Sequence, residues 1–393
     1  MQIDTTIIAV RRLWVRRPEV RLVAFGLVWR LFSTASAFLV NVIFPQAQQQ
    51  FSTELPHRQF WDALVRYDGG WYFGVARYGY EFVEGGRSNL AFMPVYPMLM
   101  RYLGLAFGGG RENIYLAGLV ISWLSYLLAI VMVYRLARLF VPRAGAERAA
   151  ILASVFPFAF FFGVVYTEAL FLLLSVTAFY GFSTRRWWLG GLAGALAGAT
   201  RVNGILLLPA LALLAWKYSE RHLGARVRAA CGLAVVPLGL AAYSVYAYTK
   251  SGSFIEWAHS ITRWNYSPGG MPWSSIYRVF SSLLSDPYGF LVTDRMAPFD
   301  LLNASAALVF VLAIPFVWRR LGAAYAVLMI AGLWLPLSSG SLEGLGRYCA
   351  VLFPFFILLG SIRSRTAYQW TLAGFGALYM LCMTLFTKVY PIL

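Results

Sequence analysis

The sequence predicts an all-α, polytopic membrane protein. Of its 393 residues, 60% are hydrophobic and only 12% are charged, and long apolar runs recur along the chain. A soluble domain carries about 25% charged residues, whereas runs of about 20 apolar residues cross a bilayer core. The net charge of +17 does not indicate a nucleic-acid partner, because its distribution follows membrane topology.

The apolar runs predict about eleven membrane-spanning helices. Their predicted ranges are 21–44, 113–139, 149–164, 167–183, 187–200, 204–217, 229–249, 300–318, 322–337, 348–361 and 367–388. Alternate connections, together with the N-terminal segment, hold 19 basic and four acidic residues, whereas the rest of the chain holds 14 and 12. Because cytoplasmic connections collect Lys and Arg, this asymmetry predicts a cytoplasmic N-terminus, an external C-terminus and an odd number of spans.

The N-terminal segment does not resemble a cleavable signal peptide. Its apolar run is short, and the basic residues follow that run rather than precede it. These residues are Arg11, Arg12, Arg16, Arg17 and Arg21.

Two external connections are long, within what we expect to be one transmembrane domain over residues 1–393. The first, 45–112, mixes apolar and charged residues at helical spacing, which predicts helices lying in the membrane interface. The second, 250–299, contains Trp and Tyr residues typical of an interfacial belt and a shaped "SPGGMP" loop that includes Pro268.

The sequence predicts neither a metal site nor a cofactor. Cys231, Cys349 and Cys382 are scattered in apolar stretches, which argues against a disulfide framework or a zinc site. The histidines are far apart, and neither an Asp-x-Asp pair nor an HExxH motif is present.

Several ionisable or polar residues collect on the predicted external side, next to short spans. They are Asp68, Glu168, Arg201, Asn203, Glu343 and Arg347. Charged residues at such positions are costly and often functional, and guanidinium groups bind phosphate in a bidentate way. Two alternatives stay open: each residue extends from a helix end into water, and Glu168 stabilises a helix dipole.

The stretch "RYDGGWYFGVARYGY", residues 66–80, holds one carboxylate among aromatic residues. A carboxylate beside aromatic rings can act as a general base for a hydroxyl, which makes Asp68 the candidate base. Tyr67, Trp71, Tyr72 and Tyr78 are candidates to stack on a sugar. The alternative is that Asp68 and the two glycines after it form only a turn or helix cap.

The ordered motifs of this chain resemble the PIG-V family of dolichol-phosphate-mannose-dependent mannosyltransferases, in the GT-C superfamily. The resemblance includes "YDGGWYFGVARYGY", "NLAFMPVYP", "FPFAFFFGVVYTEALFLLLS", "GATRVNGILLLP", "MPW" and "GRYCAVLFPFF", in that order. It implies a GT-C fold and an inverting transfer from a polyprenyl-phosphate sugar, without a nucleotide and usually without a required metal.

The resemblance also implies roles for individual residues. Asp68 matches the aspartate of the family's Trp-Asp motif, although Tyr67 stands where the family has Trp; Asp62, which follows Trp61, ranks second. The expected donor-phosphate ligands are Arg201, Arg347, Arg263 and His259. The expected sugar or acceptor contacts are Tyr67, Trp71, Tyr72, Tyr166, Glu168, Asn203 and Trp273.

The resulting functional prediction is transfer of a sugar, mannose by resemblance, at the outer face of a prokaryotic cytoplasmic membrane. The expected partners are a polyprenyl-phosphate-linked donor, an acceptor that is a glycolipid, a glycan or a protein, and membrane lipids. Two alternatives remain: a transporter or flippase for a lipid-linked sugar, and a non-catalytic subunit that binds such a lipid.

Overall fold

Helices form all the regular structure in residues 17–47, 52–219, 222–264, 269–293 and 296–392, which the computed structural model describes. Within these ranges the α-helices are α1 Pro18–Ile43, α2 Arg58–Leu64, α3 Asp68–Tyr78, α4 Val95–Ala106, α5 Arg111–Ala137, α6 Arg143–Val155, α7 Glu168–Ser183, α8 Trp187–Gly198, α9 Leu207–Tyr218, α10 Leu223–Val235, α11 Leu238–Ser251, α12 Glu256–Thr262, α13 Ser274–Ser285, α14 Ala297–Leu321, α15 Ala323–Ser338, α16 Leu345–Ala350, α17 Phe353–Gly360 and α18 Arg365–Thr387. Short 3₁₀ segments are Asn89–Ala91, Pro157–Gly163 and Val202–Leu206. Arg11, Arg12, Arg16 and Pro268 lie outside the described residues.

Long apolar helices make this an integral, multi-pass membrane protein. Five helical segments in the described part of the chain are long and apolar enough to cross a membrane: α1, α5, Leu223–Ser251, α14 and α18. A sixth is the bent pair of α6 and Pro157–Gly163, whose axes differ by 80°. All eleven predicted ranges coincide with helical segments, but several of these are short, so the number of crossings stays a prediction.

The two long connections contain short helices. α2, α3 and α4 lie within 45–112, and α12 and α13 lie within 250–299. The core of the bundle is built by apolar side chains of α5 to α7 and α14 to α18, with a dense group of phenylalanines around Pro157–Gly163.

Three interruptions of the helices place polar residues inside this bundle. The chain breaks after α6 and restarts as α7 at Glu168; it breaks again between α8 and α9, around Arg201 and Asn203; and α16, which carries Arg347, is only six residues long. Irregular backbone is tolerated at membrane depth only where protein or a polar cavity satisfies its hydrogen-bonding groups.

The first interruption is supported by Arg30, which is fully buried in α1. Its guanidinium donates to the carbonyls of Ala159 at 3.3 Å and Ser154 at 3.4 Å, and it lies 4.4 Å above the ring of Tyr126. Arg30 therefore satisfies carbonyl groups that the break between α6 and the 3₁₀ segment leaves without helical partners.

Candidate active site

Asp68 is the first residue of α3, and its backbone is held from two directions. Its N–H donates to the hydroxyl of Tyr166 at 3.2 Å, and that hydroxyl donates to the carbonyl of Arg66 at 3.1 Å. Tyr67 has φ +50°, a left-handed conformation that is uncommon outside glycine. Asp68 therefore begins the helix rather than capping it, since Tyr67 holds the N-cap position, and the Asp68 side chain has a different partner.

The Asp68 carboxylate pairs with Arg347, which lies 279 positions later in the chain. Arg347 Nη1 donates to Asp68 Oδ2 at 2.6 Å, and the Arg347 side chain is only 9% exposed. Arg347 Nε also lies 3.3 Å from Glu168 Oε1. Arg347 therefore joins the first long connection to the start of α7.

Glu168 holds a second arginine as well. Arg201 Nη1 contacts the same oxygen, Glu168 Oε1, and donates to Thr167 Oγ1 at 3.0 Å. Glu168 is fully buried, and the Arg201 side chain is 11% exposed. The alternative that these side chains extend from helix ends into water is therefore wrong for Glu168, Arg201 and Arg347. Their ionic groups pair with one another inside the protein.

These residues adjoin a cavity of about 600 Å³. Its polar and charged lining residues are Tyr67, Asp68, Tyr72, Arg87, Thr200, Arg201, Asn203, Thr262, Ser339, Glu343, Arg347 and Tyr348. Burial raises the pKa of Glu343 from its usual range, and nearby Asp68 adds to this effect, whereas Arg347 opposes it. The cavity thus contains opposite charges in a partly desolvated space.

Aromatic side chains form one wall of the cavity. The ring of Trp71 stacks on Phe92, with centroids 5.8 Å apart, and Trp264 meets Trp71 edge-on at 4.8 Å. The guanidinium of Arg87 lies 5.0 Å above the Trp264 ring. Trp71 was expected here, whereas Phe92, Trp264 and Arg87 were not among the predicted site residues. Phe92 does belong to the quoted motif "NLAFMPVYP".

The other wall is formed in part by the segment after α18. Val389 and Pro391 line the cavity, and the Tyr67 hydroxyl donates to the carbonyl of Tyr390 at 2.8 Å. The Tyr67 ring also packs on Phe386, with centroids 5.8 Å apart. The phenol that replaces the family's Trp therefore attaches the Asp68 segment to the end of the last helix.

The remaining predicted residues occupy three kinds of position. Tyr166 and Glu168 lie behind the cavity wall and hold Asp68, Arg201 and Arg347, whereas Asn203 lines the cavity itself. The structure does not bring His259, Arg263 or Trp273 to the lining.

His259 and Arg263 both pair with Glu256. Arg263 Nη1 lies 2.8 Å from Glu256 Oε1, and His259 Nδ1 lies 3.6 Å from Oε2. Trp273 is 62% exposed. The phosphate-binding roles of His259 and Arg263 and the acceptor role of Trp273 stay predictions.

Asp62, the second-ranked carboxylate, is buried and bound within its own connection. It accepts hydrogen bonds from Thr53 Oγ1 at 2.7 Å and Ser52 Oγ at 3.0 Å, and it lies 3.9 Å from Arg66 Nη1. It does not line the cavity. Asp62 therefore organises the connection that precedes Asp68.

No group of three or more His, Cys, Asp or Glu residues suited to a metal ion occurs within the described ranges.

The fold and the charged cavity define a GT-C type helical membrane protein, and solved structures support this class. The chain is similar to ArnT from Cupriavidus metallidurans bound to undecaprenyl phosphate, with a TM-score of 0.51, 14% identity, and coverage of 96% of this chain and 76% of that one. It is also similar to the apo oligosaccharyltransferase of Archaeoglobus fulgidus, with a TM-score of 0.50, 13% identity, and coverage of 96% and 57%. The predicted GT-C fold is confirmed.

Sequence comparison defines the family within that class. Residues 15–250 match the family model Mannosyltransferase (PIG-V), and the chain belongs to this family. It is 30% identical over 236 residues to GPI mannosyltransferase 2 of Yarrowia lipolytica (strain CLIB 122 / E 150), a match that covers 58% of this chain and 60% of that relative. The match therefore spans less than two thirds of the relative's length. The family model over residues 15–250 confirms the family prediction.

Proposed function

We propose that this protein transfers mannose from a polyprenyl-phosphate donor to an acceptor hydroxyl, with inversion at the anomeric carbon. The observation that carries the proposal is the meeting of Asp68, Arg347 and Arg201 at one cavity. A general base and two phosphate-binding cations are what such a transfer needs from the protein. Family membership and the lipid phosphate bound by the structurally similar ArnT support the donor class.

The reaction is a single displacement. The acceptor hydroxyl oxygen attacks the anomeric carbon, its proton passes to Asp68, and the bond from that carbon to the phosphate oxygen breaks. Polyprenyl phosphate leaves with the bonding electron pair, and Arg347 and Arg201 stabilise its growing negative charge. A β-linked mannosyl phosphate then gives an α-mannoside.

The walls of the cavity suit the two substrates. Trp71, Phe92 and Trp264 offer flat apolar faces for a sugar ring, and Tyr72 and Asn203 offer polar groups for its hydroxyls. Leu335 and Pro336, on α15, give the same cavity an apolar side for the first isoprene units. We assign this cavity to the outer face of a prokaryotic cytoplasmic membrane, because the charge asymmetry of the connections favours that orientation.

Purified protein with synthetic polyprenyl-phosphate mannose tests the transfer directly, against a panel of glycolipid, glycan and peptide acceptors. Asp68→Asn should abolish transfer and leave the protein folded, because an amide cannot accept the proton. Near-normal turnover by that variant would refute the base assignment. Movement of labelled lipid across vesicles without transfer would instead identify a flippase, and binding without either would identify a non-catalytic subunit.

The phosphate role has its own measurement. Arg347→Ala should raise the donor concentration that gives half-maximal rate, since the variant loses the cation closest to Asp68. An unchanged donor saturation curve would count against phosphate binding by Arg347. Mass spectrometry of lipid-linked glycans in a deletion strain would identify the acceptor.

A further inference from the structure

Arg347 lies between two carboxylates of different character. Glu168 is fully buried and does not border the cavity, whereas Asp68 borders the cavity and keeps 26% of its side chain exposed. Arg347 Nη1 lies 2.6 Å from Asp68 Oδ2. Arg347, which lines the cavity, is therefore already paired with the carboxylate proposed as the base.

The charges of the described residues at the cavity balance without a ligand. Arg201 and Arg347 face Glu168 and Asp68. The lining adds one further charge of each sign, Arg87 and Glu343. A lipid phosphate brings at least one further negative charge into a partly desolvated space, where like charges repel strongly. A phosphate that binds Arg347 beside Asp68 therefore meets a carboxylate close by, and release of Asp68 from Arg347 relieves that repulsion.

Only Asp68 is free to give up its contact. Glu168 is shared by both arginines and is fully buried, so its release would leave a desolvated charge unpaired. Asp68 is the first residue of α3, where the helix dipole stabilises a nearby carboxylate. Its backbone N–H is bound to Tyr166, so the side chain can turn while the main chain stays in place.

We propose that the Asp68–Arg347 ion pair is the resting state of the site and that the donor phosphate replaces Asp68 on Arg347. This inference rests on the function proposed above and adds an order of events to it. The phosphate binds Arg347, and the released carboxylate becomes available to accept the proton of the acceptor hydroxyl. Charge-assisted contacts of arginine with carboxylate and with phosphate are of similar strength, so the exchange is reversible. Donor binding therefore precedes activation of the base.

If Asp68 and phosphate compete for Arg347, removal of the Asp68 carboxylate should increase the affinity for phosphate. A carboxylate that acts only as the base has no such effect. If Asp68 occupies Arg347 in nine tenths of the molecules, its removal should tighten phosphate binding about tenfold, because affinity scales with the binding-competent fraction. The loss of one negative charge also favours an anion in general. A comparison in the absence of Arg347 separates the two effects.

The experiment measures binding of undecaprenyl phosphate to the purified full chain in detergent, for wild type, Asp68→Asn, Arg347→Gln and the double variant. Thermal melting verifies that each variant is folded. We expect Asp68→Asn to bind about tenfold tighter than wild type, and the same substitution to have little effect when Arg347 is already Gln.

Each other outcome is decisive. Equal tightening in both backgrounds, or no tightening in either, overturns the exchange while leaving the proposed transferase function standing. Absence of undecaprenyl phosphate binding by the wild type overturns the donor class itself and, with it, the exchange.

Discussion

Replacement of Glu168 by Gln tests the buried acid that holds both arginines. Glu168 Oε1 contacts Arg201 Nη1 and lies 3.3 Å from Arg347 Nε, and its side chain is fully buried. The substitution keeps the shape and removes the charge. Two guanidinium groups then remain close together, and Asp68 still pairs with Arg347.

The expected loss follows from the burial of this cluster. Breaking a buried ion pair costs about 3–5 kcal/mol, because a desolvated charge is left without its partner. The Gln carbonyl can still accept one hydrogen bond, which returns about 1 kcal/mol. We therefore expect Glu168→Gln to lower the free energy of unfolding by roughly 2–4 kcal/mol.

Chemical unfolding in detergent, followed by tryptophan fluorescence, measures this loss. Glu147→Gln is the matched control: Glu147 pairs with Arg21 at 2.6 Å, but both side chains are more than 20% exposed, so we expect a loss of at most about 1 kcal/mol. Adding Arg201→Met to Glu168→Gln should recover part of the stability, since it removes one of the two opposed cations. A loss no larger than that of Glu147→Gln, or no recovery in the double variant, would refute the assignment of Glu168 as the shared anchor.

Three further outcomes follow from the geometry of the site. Gly346→Ala should destabilise the protein by about 1–3 kcal/mol and displace Arg347, because the new Cβ would lie 2.2 Å from the Phe158 ring. Gly374→Ala is the control: its Cβ would have nothing within 4 Å, so the same unfolding assay should show a neutral or slightly stabilising effect. Tyr67→Phe should lower the free energy of unfolding by about 1 kcal/mol and slow transfer, because it removes the hydrogen bond to the segment after α18. Tyr78→Phe, at a 73% exposed position, should change neither stability nor transfer. Equal effects of the two substitutions would contradict the attachment of Tyr67 to that segment. Transfer should continue undiminished in excess chelator, and a strict requirement for a divalent ion would require a new assignment of the carboxylates.

Some features of the site could be read from local sequence. Asp68 stands out as a single carboxylate among aromatic residues, and Arg201 and Arg347 stand out as charges beside short apolar spans. A further local signal was missed: Glu256, His259 and Arg263 are spaced by three and then four residues, which places them on one face of a helix. That spacing favours the ion pairs with Glu256 that the structure shows over phosphate binding.

The sequence by itself determined the membrane class, the helical segments and the family. These properties depend on the local cost of placing apolar and charged groups in lipid, and on motifs read along the chain. Only the tertiary structure decided which charges meet. Asp68 and Arg347 are 279 positions apart, and Glu168 binds one arginine from the break between α8 and α9 and another from α16. Such pairings depend on how the broken helices pack and on which side chains lose water together, and no local pattern contains that information.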